Sequence, residues 1–358
     1  MAGGDRVKVY VLPADAYACG HYRLAWPADA LRQQGMDTQI MPPQKDSGFL
    51  ASTVERADGS IALTAIQVPE DADVVVIQRP AHPLQPQMID IMRQNGIAVV
   101  VDMDDDMSCI HPDNIAFNTY RPRPGGQFSW KHAEESCKRA TLVTTSTKAL
   151  QRRYARHGRG VVIDNYIPEV LLDVAKPETG AFAWAGNTQA HPNDPQVSAP
   201  APQRLIDEGY HFKVISQQSK VKQCMRLREE PEYTGSFRIS EWIQGIANNC
   251  DVGMVPLAAT AFNTAKSRLK GIEYMAAGVA WVASPREEYR RLHRESGCGL
   301  LADTPKEWYR HLKLLLDDDV LRKEQVEMGT EYMKGQTIQA NAWRWAEAWS
   351  SALEIQRS

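Results

Sequence analysis

Short β-branched runs alternate with amphipathic stretches of helical period along most of this chain. Val7–Leu12, Val74–Gln78, Ile97–Val101 and Leu142–Thr145 are apolar runs of the kind buried on both faces of a parallel sheet. Between them, Leu24–Gln34, Pro86–Gln94, Ser129–Ala140 and Lys148–His157 read as helices, with Gly35 and Gly158 as stops. Asp37–Met41 and Val161–Asp164 add two further strands. The pattern restarts after Pro177, with strands at Phe182–Ala185, Phe212–Ser216 and Asp251–Leu257 and helices at Pro202–Glu208 and Ile239–Asn248. The Pro- and Asn-rich stretch His191–Gln203 lies inside this second alternation and reads as a loop. The pattern predicts an α/β chain of two doubly wound domains, residues 1–176 and 177–335. A tail helix over 336–358 carries Trp343, Trp345 and Trp349, a stripe that reads as core packing.

Composition narrows the function classes. Lys and Arg number 41 against 44 Asp and Glu, a net charge of −3 with no long basic run, so a dominant nucleic-acid surface is unsupported. Local clusters at Arg152-Arg153 and from Arg286 to Arg294 keep a nucleic-acid acceptor open. The six cysteines are scattered without a C-x-x-C pair, which suits free thiols in a reducing compartment better than disulfides or a zinc site. No apolar run approaches the ~20 residues needed to cross a bilayer, and the first residues lack a signal-peptide core. The expectation is a cytoplasmic protein acting on small metabolites.

The candidate chemistry is densest from Phe262 to Ser284, FNTAKSRLKGIEYMAAGVAWVAS. Lys266, Lys270 and Glu273 fall at i, i+4 and i+7 and would share one helical face. A cation, the Ser267 hydroxyl and free N–H groups at a helix start make a place for phosphate. A carboxylate two turns on can accept hydrogen bonds from vicinal sugar hydroxyls. The alternative on spacing alone is a solvated helix face. Against it stands the preceding run Asp251–Leu257, a buried strand that delivers this segment to the strand-end edge where open α/β sheets bind ligands.

With DVGMVPL before it, this segment resembles the donor site of retaining glycosyltransferases of the two-Rossmann-domain (GT-B) type, close to family 4. The resemblance implies two Rossmann-like domains facing a cleft, with the C-terminal helix crossing back to the first. It implies transfer of a sugar from a nucleotide-sugar, UDP- or GDP-linked, to an acceptor hydroxyl with retention, and requires no cofactor. Glu273, in EYMAAG, would bind the nucleotide ribose, and Lys266 and Ser267 the diphosphate, with Lys270, Asn263, Gly186 and Asn187 also lining the donor. Ala265 stands where the family often has a second, sugar-holding Glu. The loop GNTQAHPND lacks the Arg and Lys that usually grip the diphosphate. A nucleotide-sugar epimerase and a non-catalytic nucleotide-sugar-binding protein are the alternatives.

Two places in the first half complete the picture. Cys19-Gly-His-Tyr-Arg23 follows the first strand, so Gly20, His21 and Arg23 would present backbone and donors at the ligand edge. Asp102-Met-Asp-Asp-Asp106 follows a strand, and four carboxylates in five residues point to function or to an acidic solvated loop. Asp102, Asp104 and Asp105 would work with His21 on the acceptor; a divalent metal at Asp102–Asp106 is the less favoured alternative. The opening PADAYACGHYRLAWPADALRQQG is similar to bacteriophage-encoded glycosyltransferases, which adds modified DNA bases and proteins to saccharides and lipids as acceptors.

Overall fold

A computed structural model describes residues 7–43, 49, 51–120 and 128–358, and fourteen strands occur among these described residues. The chain divides into two units. The first comprises Met1–Ser108, Thr119–Asn165 and Ile338–Ser358, and the second Cys109–Asn118 and Tyr166–Thr337.

In the first unit the strands are β1 (Lys8–Leu12), β2 (Asp37–Ile40), β3 (Ala51–Glu55), β4 (Ile61–Ile66), β5 (Val74–Gln78), β6 (Ala98–Met103), β7 (Leu142–Thr145) and β8 (Gly160–Val162). Six of them form a parallel sheet in the order β2-β1-β5-β6-β7-β8. β5 and β6 are buried along their whole length, as their runs of valine require of strands covered on both faces. The strand order reverses between β1 and β5, and the loops that follow these two strands flank that point. β3 and β4 pair as a separate antiparallel hairpin, turned at Asp58-Gly59, with Gly59 at φ +77°.

The C-terminal segment belongs to this first unit. Helix Trp343–Arg357 packs against β5, β6 and β7. Trp345 and Trp349 are fully buried, whereas Trp343 is half exposed, so the stripe is core packing at two of its three positions. Trp345 Nε1 donates to the Arg23 carbonyl at 3.0 Å, tying the tail to the helical segment after β1, where the sequence suggests a loop through Cys19–Arg23.

The second unit contains β9 (Ala181–Trp184), β10 (His211–Val214), β11 (Glu232–Tyr233), β12 (Val252–Val255), β13 (Ala280–Ala283) and β14 (Leu300–Leu301). They form one parallel sheet ordered β11-β10-β9-β12-β13-β14. Its reversal lies between β9 and β12. Helices Ala201–Asp207 and Pro305–Asp317 bury Leu205, Trp308, Leu312 and Leu315 against the sheet. Part of the stretch expected as loop, His191–Gln203, is therefore ordered: it holds a 3₁₀ turn at Pro195–Ser198 and the start of the Ala201–Asp207 helix. Gly253 in β12 is set by its neighbour. A Cβ there would stand 2.5 Å from the Tyr274 ring, and Tyr274 anchors helix Leu269–Ala276 to the sheet.

Candidate functional site

In doubly wound sheets the strand order reverses where two neighbouring strands send their following loops apart, and ligands bind beyond the strand ends at that crevice. In the second unit this point is bounded by the loop after β9, GNTQAHPND, and the loop after β12, which runs through Asn263 to Lys266. One buried carboxylate ties them together. Asp194 accepts from His191 Nδ1 at 2.8 Å, from the Ala258 N–H at 2.9 Å and from Asn263 Nδ2 at 2.5 Å. Burial raises the Asp194 pKa, but these hydrogen bonds, that of His191 first, outweigh it and hold the carboxyl below its ordinary value. Asn263 Nδ2 also donates to the Ala258 carbonyl, which fixes the amide's orientation and leaves its buried Oδ1 as an acceptor without a donor among the described residues.

The loop after β9 is organised from within. Asn187 Oδ1 accepts from the Gln189 N–H at 2.7 Å, and the Asn187 carbonyl accepts from the N–H groups of Ala190 and His191. Asn187 Nδ2 reaches Ser216 Oγ at 3.5 Å, beyond β10. Thr188 Oγ1 accepts from the Lys220 N–H at 2.9 Å, so the loops after β9 and β10 are also joined. Gly186 lies over Trp184, whose indole would meet a Cβ at 2.6 Å.

Helix Leu269–Ala276 carries the carboxylate singled out from the sequence. Glu273 is buried and accepts from Lys270 Nζ at 2.6 Å, and that ammonium also sits 4.6 Å from the centre of the Trp242 ring. Tyr274 accepts from the Ala185 N–H at 2.9 Å and donates to the Met254 carbonyl at 3.1 Å, so the helix is pinned to the ends of β9 and β12.

Two sequence expectations for this segment are corrected. Lys266 is not on the helix: a separate turn, Ala261–Thr264, precedes it, and the helix starts only at Leu269. Lys270 and Glu273 share a face, and Lys266 stands in the turn before it, half-buried, with its ammonium 4.5 Å from the centre of the Phe262 ring. Within that separate turn, Asn263 is bonded to Asp194. Nor are the helix-start N–H groups all free, because that of Gly271 donates to the Arg268 carbonyl at 3.0 Å. Half-buried Ser267 lies in the same turn as Lys266.

In the first unit the structure separates the residues that the sequence grouped. Asp102 has none of its surface exposed and accepts from Arg23 Nε at 3.1 Å, Arg23 Nη2 at 2.7 Å and Thr144 Oγ1 at 2.7 Å. Arg23 Nη1 donates to the Ile163 carbonyl at 2.6 Å and to Asn165 Oδ1 at 3.0 Å. Arg23 and Asp102 thus form a buried, mutually satisfied pair, and neither presents the ligand-facing group that the sequence suggested. The reason is distance along the chain: the two are brought together by tertiary packing that no local pattern encodes.

The remaining carboxylates of the acidic run face different partners. Asp104 takes a two-pronged contact from Arg79, through Nε and through Nη2 at 2.6 Å, and Asp105 lies 3.5 Å from the same guanidinium. Asp106 accepts from Ser108 Oγ at 2.6 Å and from the Tyr154 hydroxyl at 3.2 Å. No group of three or more His, Cys, Asp or Glu side chains suited to a metal occurs among the described residues. Gly20 is held under Asp15, whose carbonyl would stand 1.9 Å from a Cβ. His21 Nδ1 lies 2.7 Å from the Tyr17 carbonyl, and its ring meets Trp26 edge-on.

Two groups escaped the sequence reading. Arg79, at φ +49°, joins Asp15, Asp104 and Asp105 at the end of β5. His191 and Asp194 are the other, and their three-residue separation in a loop after a strand is the signal that could have found them.

No family model and no curated protein matches the chain; solved structures do. S. aureus TarM, a mutant in complex with fondaparinux, α-GlcNAc-glycerol and UDP, aligns with a TM-score of 0.52 at 12% identity, over 77% of this chain and 55% of that one. This chain therefore spans about half the length of TarM. Sucrose-phosphate synthase from Thermosynechococcus elongatus aligns with a TM-score of 0.64 at 12% identity, over 97% and 99% of the two chains. Anabaena HepE in complex with UDP gives 0.61 at 12% identity, over 96% and 100%. The fold is GT-B. At this identity the likeness establishes two Rossmann-like domains and no more. Among the described residues no helix is long and apolar enough to cross a membrane.

Proposed function

We propose that this GT-B chain is a glycosyltransferase whose second unit holds a nucleotide-sugar donor at the β9/β12 switch point. The observation that carries the reading is the Asp194 clamp. It joins the two loops that bound the crevice, and the chain runs from Asn263, which it holds, through the Lys266 turn into the Glu273 helix. HepE and TarM, with UDP bound, supply the analogy for the ligand class.

In this reading Glu273, its carboxylate held by Lys270, accepts hydrogen bonds from the ribose hydroxyls. Lys266 and Ser267 meet the diphosphate, and Gly186, Asn187 and Asn263 line the donor. Transfer breaks the bond from the anomeric carbon to the diphosphate oxygen, and the electron pair leaves with the diphosphate. The acceptor oxygen forms the new bond and gives its proton to the leaving diphosphate, with retention at the anomeric carbon. Charge that builds on the leaving diphosphate is what the site must stabilise, and the cations of the second unit do so without a divalent ion. The acceptor belongs to the first unit, at the strand-end edge beside Gly20 and His21.

The test is a thermal-shift panel of UDP-, GDP-, ADP- and dTDP-sugars, since a ligand that binds only the folded state raises apparent stability. One donor class should stabilise the protein, and Glu273→Ala and Lys266→Ala should each weaken that effect. A hydrogen bond to a charged acceptor contributes about 1.5–3 kcal/mol, so affinity should fall roughly tenfold to a hundredfold. Equal stabilisation of both variants and the parent would refute the site. Incubation with donor alone separates the rival: an isomerised sugar would indicate an epimerase.

A further inference from the structure

The donor reading leaves an electrostatic gap, because the loop after β9 contains neither Arg nor Lys from Gly186 to Asp194. A diphosphate laid across the switch point passes this loop and needs donors there. The loop does carry His191, whose side chain is about a quarter exposed. Its position is fixed twice, by its own N–H donating to the Asn187 carbonyl at 3.0 Å and by Nδ1 bonding to buried Asp194 at 2.8 Å. With Nδ1 engaged, Nε2 is the ring atom left to meet a ligand. The same carboxylate holds Asn263, and the Asn263 carbonyl accepts from the Lys266 N–H at 3.4 Å, so one buried group positions both His191 and the Lys266 turn.

We propose that His191 is a donor-binding residue that, as the imidazolium, gives a hydrogen bond from Nε2 to the diphosphate while Nδ1 donates to Asp194, its positioning residue. This rests on the donor-site reading above. His191 supplies at the β9 loop what Lys266 supplies at the β12 loop, so the diphosphate is held from both sides of the switch point.

The test is calorimetric titration of the full chain, as parent, His191→Gln and His191→Lys, with UDP, GDP, ADP and dTDP and the matching monophosphates. The parent should bind one diphosphate more tightly than its monophosphate. In His191→Gln that preference should shrink by roughly tenfold or more with monophosphate affinity unchanged, and His191→Lys should restore it. An unchanged preference in His191→Gln would overturn the proposal. So would an equal loss for monophosphate and diphosphate, which marks a merely structural role. A parent that binds none of these nucleotides would overturn the donor reading and this inference with it.

Discussion

Exchanging Asp102 for Asn tests whether the acidic run is machinery or framework. The parent carboxylate is wholly buried and takes three hydrogen bonds, two of them from Arg23. Asn keeps the volume and removes the charge, which leaves the Arg23 guanidinium buried with no counter-charge on its nearest partner. Breaking one side of such a pair costs about 3–5 kcal/mol. At about 2–4 °C per kcal/mol for a unit of this size, melting should drop by roughly 6–20 °C. Arg23→Met should cost a similar amount, because it strands the Asp102 carboxylate instead. The double variant Arg23→Met/Asp102→Asn should be far less damaged than the sum of the singles, since two buried charges and their desolvation are removed together. Calorimetry on the four proteins reads this cycle. Additive losses would refute the coupling. Intact stability with abolished turnover in Asp102→Asn would show that the carboxylate acts on substrate.

Two further perturbations address the second unit. Gly253→Ala sets a methyl 2.5 Å from the Tyr274 ring and should destabilise by about 1–3 kcal/mol through overpacking; an unchanged melting temperature would contradict the packing. Asp251 accepts from Lys176 and from the N–H groups of Thr179 at 2.9 Å and Gly180 at 2.6 Å. Burial pushes its pKa up, but these contacts, Lys176 first, outweigh burial and hold it below the ordinary value. A depressed folded pKa contributes stability that is present above the unfolded value, about 3.9, and is lost as pH falls through the folded value. Asp251→Asn should therefore melt lower than the parent at neutral pH and lose less on going below about pH 4. Parallel melting curves against pH would contradict it.

What was legible in the sequence was whatever depends on local pattern. The valine runs of β5 and β6 declare buried parallel strands, the alternation declares two doubly wound halves, and EYMAAG places Glu273 on a helix stopped by Gly278, at φ +64°. The β3–β4 hairpin carried a local signal, Asp58-Gly59, which a reading for buried runs passes over because its strands are largely exposed. What could not be read depends on partners distant in sequence. The Arg23–Asp102 bond spans 79 positions and turns two apparent site residues into an internal pair. Asn263, in the turn before the break that removes Lys266 from the helix, bonds to Asp194, 69 positions away. His191, by contrast, bonds Asp194 only three residues on, a local spacing that was within reach of the sequence.

The central claim is that a nucleotide-sugar sits at the β9/β12 edge of the second unit. Hydrogen–deuterium exchange with and without the stabilising donor measures this directly. The account predicts slowed exchange in 185–194 and 257–273, reduced when Glu273 is Ala. Protection that leaves both segments unchanged while slowing exchange elsewhere would contradict it.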